Sequence, residues 1–326
     1  MIAGSKQSGF VLVSSIWLVL IMLVFAGFFG FYASQQLTKA YSSKERIKES
    51  LDRVATEQTL FFLLATNTKT HAGLQLQGPE AGELKLDGSR YQGVGNVSFS
   101  LNDYYGLVGL NVIPNRHLDQ LLASFESNPI RRQSLLDALY DYIDLDEFKR
   151  LNGREALGYS RSGTLTPSND YLKSSQELRS VYGWQDWLEA HPEFDVESWL
   201  STNWRSRINV NTMPEALVRR ILPVTRPEAD RMVNRRSIKP FRSLEGIASV
   251  LGPRVTLDDD YYTFLPKGDV QIRIFSTSNR KFSTIGVVST PMSIRSAWVI
   301  DYRYHGESNS DFTKPARVGA AQYFER

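Results

Sequence analysis

Cysteine is absent from all 326 residues, which excludes disulfide scaffolds, thiolate nucleophiles and cysteine-ligated zinc. An exported domain of this chain must hold together by packing alone. Histidine is scarce: His71, His117, His191 and His305 stand far apart. No H-E-x-x-H, G-x-S-x-G, Walker loop or G-x-G-x-x-G occurs, so catalysis is not the expectation and no cofactor is certain. A dominant charge is missing too. With 38 Lys+Arg against 35 Asp+Glu the net charge is +3, which is no global mark of a nucleic-acid binder.

Charge is missing altogether from residues 7 to 38, and Phe10 to Tyr32 is almost wholly apolar. That run exceeds the roughly 20 residues a helix needs to cross a bilayer. A secretory signal peptide would have an apolar region of about 7–15 residues and a small-residue cleavage site; neither is present. Lys6 and the amino terminus precede the span, whereas Lys39, Lys44 and Arg46 beyond it are mixed with Glu45 and Glu49. A single pass is expected, with the nine-residue leader cytoplasmic and the bulk of the chain outside.

From Gln35 to Asn67 there is no proline or glycine, and Leu37, Tyr41, Ile47, Leu51, Val54 and Leu60 recur at near-helical steps. Phe10 to Asn67 is predicted as one helix about 85 Å long, with Gly27 and Gly30 leaving a break open as the alternative. From His71 the texture changes. GLQLQG, GELKLDG, SRYQGVG and NVSFSLND alternate polar and apolar residues between glycines, and VQIRIFSTSN, FSTIGVVSTP and SAWVIDYRYHG do so near the end. These predict short antiparallel strands. Between them, RRQSLLDALYDYID, SSQELRSVYGW, PEALVRRIL and SLEGIASVLG are helical in pattern. The fold class is therefore α+β: a long N-terminal transmembrane helix leads into an antiparallel sheet interrupted by a large all-α insert.

The insert carries an internal echo. LNVIPNRHLDQLL from Leu110 aligns with VNTMPEALVRRIL from Val210, keeping Asn111/Asn211 and Pro114/Pro214. Either the segment is duplicated or two strand-to-helix turns share their punctuation. In the second copy Thr212 and Glu215 have the spacing of a capping box. Residues 205–242 hold ten Arg/Lys against Glu215, Glu228 and Asp230. The region 205–250 is similar to helix-hairpin-helix modules, so a membrane-anchored DNA-binding or uptake protein is the rival function. The hairpin reads ILPVTRPEAD, however, with two prolines and no glycine. The amides that would grip phosphate are missing, so nucleic acid is not the expected partner.

A short basic leader ending in Gly9, followed by Phe10 and an immediate apolar helix, resembles the signal of type IV pilins and type II secretion pseudopilins. That resemblance implies cleavage by a prepilin peptidase after Gly9 and N-methylation of Phe10. Most members then carry glutamate at the fifth mature position, whereas this chain has Ser14. DYYGLVGLNV from Asp103, DALYDYIDLDEFKRLNGREALGY from Asp137, SSQELRSVYGW from Ser174 and INVNTMPEAL followed by NRRSIKPFRSLEGI are similar, in that order, to blocks of the type II secretion minor pseudopilin K family. The resemblance implies a leader at 1–9, a helix at 10–67, a pilin-like β domain at 68–110 and 261–326, and an inserted SAM- or helix-hairpin-helix-like domain at 111–260.

The same resemblance implies a tip subunit of the pseudopilus that helps start fibre assembly for export of folded proteins. Its partners would be other minor pseudopilins (I-, J- and H-type), the major pseudopilin, the prepilin peptidase, the inner-membrane assembly platform and lipid. It would sit in the bacterial inner membrane with its globular domain periplasmic. A calcium site is implied at Asp141, Asp144, Asp146 and Glu155 near Asn152, although Ala156 and Leu157 stand where relatives tend to have further acids. A helix end whose acids face water is the alternative. Asp258, Asp259 and Asp260 are expected to form a solvated turn.

Overall fold

The structure is a computed structural model that describes residues 8–77, 82–156, 158–159, 166–252, 254–255, 257–276, 281–290, 293–307 and 321–324. Leader residues 1–7 and Leu157 lie outside the described residues. The chain divides into two compact units, Met1–Asp52 and Arg53–Arg326.

Helix α1 (Ser8–Thr66) is continuous over 59 residues. No break occurs at Gly27 or Gly30, because no Pro interrupts the backbone ladder and an isolated glycine lowers helix stability only by about 1 kcal/mol. In the first unit every large apolar side chain from Phe10 to Tyr32 is at least half exposed.

In the second unit the end of α1 buries Leu60, Phe61 and Leu63, while Phe62 on the other side is exposed. They join Leu74, Leu84, Phe99, Ile272 and Ile285 in one core; each such side chain contributes roughly 1.5–3 kcal/mol by leaving water. Strands β1 (Thr68–Lys69), β2 (Gly73–Gln75) and β3 (Glu83–Lys85) form a small antiparallel sheet. The main sheet contains β4 (Asp87–Gln92) and β5 (Val97–Asp103) from the early part of the chain.

Four two-residue strands follow: β6 (Val108–Gly109), β7 (Leu200–Ser201), β8 (Ile208–Asn209) and β9 (Tyr262–Thr263). The chain returns through β10 (Val270–Ser276), β11 (Lys281–Ser289) and β12 (Trp298–Glu307). The five-stranded order is β12-β11-β10-β5-β4, antiparallel throughout. Asp103 pairs with Val270, so the whole α-rich insert leaves and re-enters between two neighbouring strands.

One sheet face packs on α1. The other is polar by alternation yet buried: Ser98, Ser100, Asn102 and Gln271 are at most 4% exposed. Part of it is bonded internally, with Asn102 Nδ2 donating to Gln271 Oε1 (3.1 Å) and Gln271 Nε2 to the Tyr302 hydroxyl (3.2 Å), while Asn102 Oδ1 has no hydrogen-bond partner among the described residues. The insert covers this face, through contacts such as that between the Ser175 and Tyr304 hydroxyls.

The insert has its own core around Trp184, Leu139 and Met213. Helix α2 (Arg116–Ala123) is followed by α3 (Pro129–Ile143), whose start is set by Asn128 accepting from Ile130 N and Arg131 N and by Pro129 at the first turn. The two halves are built alike. β6 pairs in parallel with β7, and β8 in parallel with β9. Asn111 donates to Leu172 O and Thr202 O and accepts from Leu172 N; Asn211 donates to Phe241 O and Phe264 O and accepts from Phe241 N. The capping box does not fall where the sequence placed it. Thr212 turns its hydroxyl to Asp103, the Glu215–Ile221 helix starts from Pro214 without a side-chain cap, and the box lies at Thr225 and Glu228, opening the Arg226–Ile238 helix.

Candidate functional site

The exposed segment beginning at Phe10 is suited to lipid and not to water. α1 is long and apolar enough to cross a membrane, which makes it compatible with a single-pass anchor. Within it Ser14 Oγ donates to Phe10 O and Ser15 Oγ to Leu12 O, both at 2.9 Å. The hydroxyl at position 14 is thus satisfied by its own helix. A carboxylate there has no such solution and requires an external partner. Gly9 is the second residue of the helix, next to Phe10, which is 80% exposed.

The second site lies where α3 ends at Asp144. Carboxylate oxygens of Asp144, Asp146 and Glu155 lie within 4.8 Å of one another. Glu155 is buried and both of its oxygens lack a hydrogen-bond donor, as does Asp144 Oδ1. Burial, reinforced by Asp141, Asp144, Glu147 and Asp146, pushes the Glu155 carboxyl up to about 7. Asp141 is not among these mutually close oxygens, although its charge acts on Glu155 more than the other carboxylates do. It accepts the Arg150 amide (3.1 Å to Oδ2) and guanidinium (3.0 Å to Oδ1), and the same guanidinium reaches Asp144.

Asn152 is likewise engaged elsewhere, its amide and Nδ2 both donating to Asp137 Oδ2 at 3.1 Å. Gly153 permits this closure, since a Cβ there would meet Asp141 Oδ2 at 1.9 Å and Asp137 O at 3.0 Å. Asp137, Arg150 and Gly153 escaped the sequence reading, because their roles depend on the chain folding back onto α3. An all-oxygen set with unpartnered buried carboxylate oxygens fits a hard divalent cation. Three carboxylates offer at most about six oxygens, so carbonyls or water must complete a calcium shell of six to eight.

Part of the basic stretch 205–242 is taken up by internal contacts. Arg219 bridges Glu215 and Asp230, Arg231 and Arg254 flank Glu228, and Arg220 lies over the Phe125 ring at 4.2 Å. Arg236 is buried and donates to Val210 O. These residues hold helices together and do not present a row of free cations to a phosphate backbone. Asp258 and Asp260 form a turn, with Asp260 N donating to Asp258 Oδ1, and face Arg116 and Arg207 at 3.9 and 3.8 Å. His117 is buried against Tyr262, where burial pushes its imidazole down to about 4; His191 stacks on Trp187. Both serve as aromatic packing.

No protein-family model matches the sequence, and no curated protein matches it. Among solved structures, the chain is similar to one in the crystal structure of the GspK-GspI-GspJ complex from the enterotoxigenic Escherichia coli Type 2 Secretion System. The TM-score is 0.51 and the identity 18%, and the match covers 84% of this chain and 99% of that one. The likeness is one of fold: a pseudopilin-like α+β architecture.

Proposed function

We propose that this chain is a minor pseudopilin of a type II secretion system, working at the tip of the pseudopilus and acting in assembly, not catalysis. The observation that carries the reading is the likeness in fold, over 84% of this chain, to a chain from a complex of such proteins, in a chain that also has an apolar helix ahead of the sheet and an α-rich insert opening between β5 and β10. Ser14 adds direction. A subunit whose fifth mature residue makes its polar bond within its own helix has no need of a neighbour's terminal amine and suits the position with no subunit ahead of it.

In this reading the prepilin peptidase cuts after Gly9 in the inner membrane and the globular unit lies in the periplasm. α1 packs with the helices of other minor pseudopilins and the major pseudopilin, over the inner-membrane assembly platform. Asp144, Asp146 and Glu155 hold a divalent cation, calcium, which supplies the positive charge their buried oxygens lack. The test is intact-mass and N-terminal analysis of membrane-purified protein, wild type against Gly9→Ala. The expected result is a mature chain starting at methylated Phe10, with processing lost in the variant. An uncut Met1 terminus in the wild type overturns the reading.

A further inference from the structure

A cleft of about 650 Å³ opens in the second unit where the insert meets the sheet, within the usual range of small-ligand sites. Two aromatic side chains line it while remaining unusually open: Trp204 is 58% exposed and Tyr171 52%. One face of the Trp204 ring is taken by the Arg205 guanidinium at 4.1 Å, which fixes the ring.

The polar lining is of mixed character. Lys267 forms no ion pair among the described residues and Arg205 acts on Asp269 across the cleft without a close ion pair, while Lys173 is held by Asp170 at 2.7 Å. Asp269 and Asp301 face the same space, and burial raises both carboxyls above their usual range. Asn203 is 7% exposed. Its Oδ1 accepts the Arg205 amide at 3.0 Å, which fixes the amide orientation, and its Nδ2 is left buried with no acceptor.

These features select a ligand class. A plain anion does not need two open aromatic rings or two carboxylates, and an apolar ligand does not tolerate charges of both signs. A sugar ring fits, because its C–H faces lie on aromatic rings while its hydroxyls donate to carboxylates and accept from cations. The orphan Asn203 Nδ2 asks for a carbonyl acceptor, which an acetamido group provides. The unpaired Lys267, beside Arg205, asks for a carboxylate.

We infer that this cleft binds an acidic, N-acetylated glycan strand, of the kind a cell wall presents. The inference rests on the proposed function for one point alone, that the globular unit faces the periplasm where such strands lie.

The test is isothermal titration of the purified full-length chain in detergent with three probes: a muramic-acid disaccharide bearing its peptide, a neutral N-acetylglucosamine tetramer, and an acidic glutamate peptide without sugar. The disaccharide-peptide is expected to bind saturably, the neutral tetramer more weakly, and the glutamate peptide not at all. Trp204→Ala and Tyr171→Ala, both at exposed positions, should each weaken the two saccharides by about tenfold, the worth of one lost stacking contact. Lys267→Ala should weaken the disaccharide-peptide by about threefold and leave the neutral tetramer unchanged. No saturable saccharide binding, equal binding of the glutamate peptide, or indifference to both aromatic substitutions overturns the inference. Binding by purified protein does not depend on processing at Gly9, so the two readings fail separately.

Discussion

Thr212 donates its hydroxyl to Asp103 Oδ2 across 2.7 Å, and through that bond the second half of the insert is fastened to the end of β5. Asn209 Nδ2 donates to the same oxygen at 2.9 Å and Tyr105 N to Oδ1 at 3.2 Å. Asp103 is fully buried, and desolvation pushes its carboxyl up to about 6 despite these three donors.

The sign of the pH effect follows from that shift. The folded value lies above the unfolded one, so the stabilisation Asp103 gives is complete below about 3.9 and fades as pH rises through about 6. Asp103→Asn places an amide NH2 against at least one donor and should cost about 1–3 kcal/mol. Urea unfolding of both proteins should show the gap widening as pH falls from 7.5 to 5. A constant gap would show that Asp103 does not titrate in this window.

Glu155 yields a second pH and metal prediction. Its carboxyl is held up to about 7, so without metal its stabilising contribution is lost as pH rises through that value. Bound calcium reverses the penalty by supplying the missing charge. At a hundred times its Kd, calcium should add about 2.7 kcal/mol, a rise of about 5 °C in Tm for a domain of this size. Glu155→Gln should abolish the rise, and chelation of the wild type should return it to the metal-free Tm. A Tm indifferent to millimolar calcium removes the site.

Much of this architecture is legible in the sequence, for identifiable reasons. The apolar run at Phe10–Tyr32 and the proline-free stretch after it specify α1, and period-two alternation marks β5, β10 and β11. The alternation also misleads about environment. Ser98, Ser100, Asn102 and Gln271 occupy the polar positions of that alternation, yet all four are buried and Asn102 bonds to Gln271. The echo of Asn111 and Asn211 is visible as letters, while the reason for keeping both is visible only in space: each amide ties two distant backbone segments by three hydrogen bonds. The acidic cluster could be named by sequence, but that Arg150 bridges Asp141 and Asp144 depends on a fold-back that spacing does not encode.

Ser14→Glu is the sharpest test of a tip position. In the wild type the Ser14 hydroxyl is closed on Phe10 O; the variant carries a carboxylate at that depth with no basic residue between positions 7 and 38 of its own chain. Such a charge costs about 2.5–3.5 kcal/mol at a helix centre and less near an interface. Fibre initiation and exoprotein release, measured in a reconstituted secretion strain, should fall by about tenfold, the equivalent of 1.4 kcal/mol. Unchanged initiation and secretion would rule out the missing glutamate as the mark of a tip subunit.

The end of α1 is held to the sheet by an ion pair as well as by packing. Arg303 on β12 reaches Glu57 with two guanidinium nitrogens, at 2.6 and 3.1 Å, and the Glu57 side chain is 9% exposed against 38% for Arg303. Removing Arg303 strands a buried carboxylate, whereas removing Glu57 leaves an arginine that can turn to water. Arg303→Ala should therefore cost about 2 kcal/mol and Glu57→Ala less, with part of the Arg303 loss restored in the double variant. A double-mutant cycle by urea unfolding gives the coupling directly. Equal single-variant costs with no coupling would mean that Leu60, Phe61 and Leu63 alone fix this end of the helix.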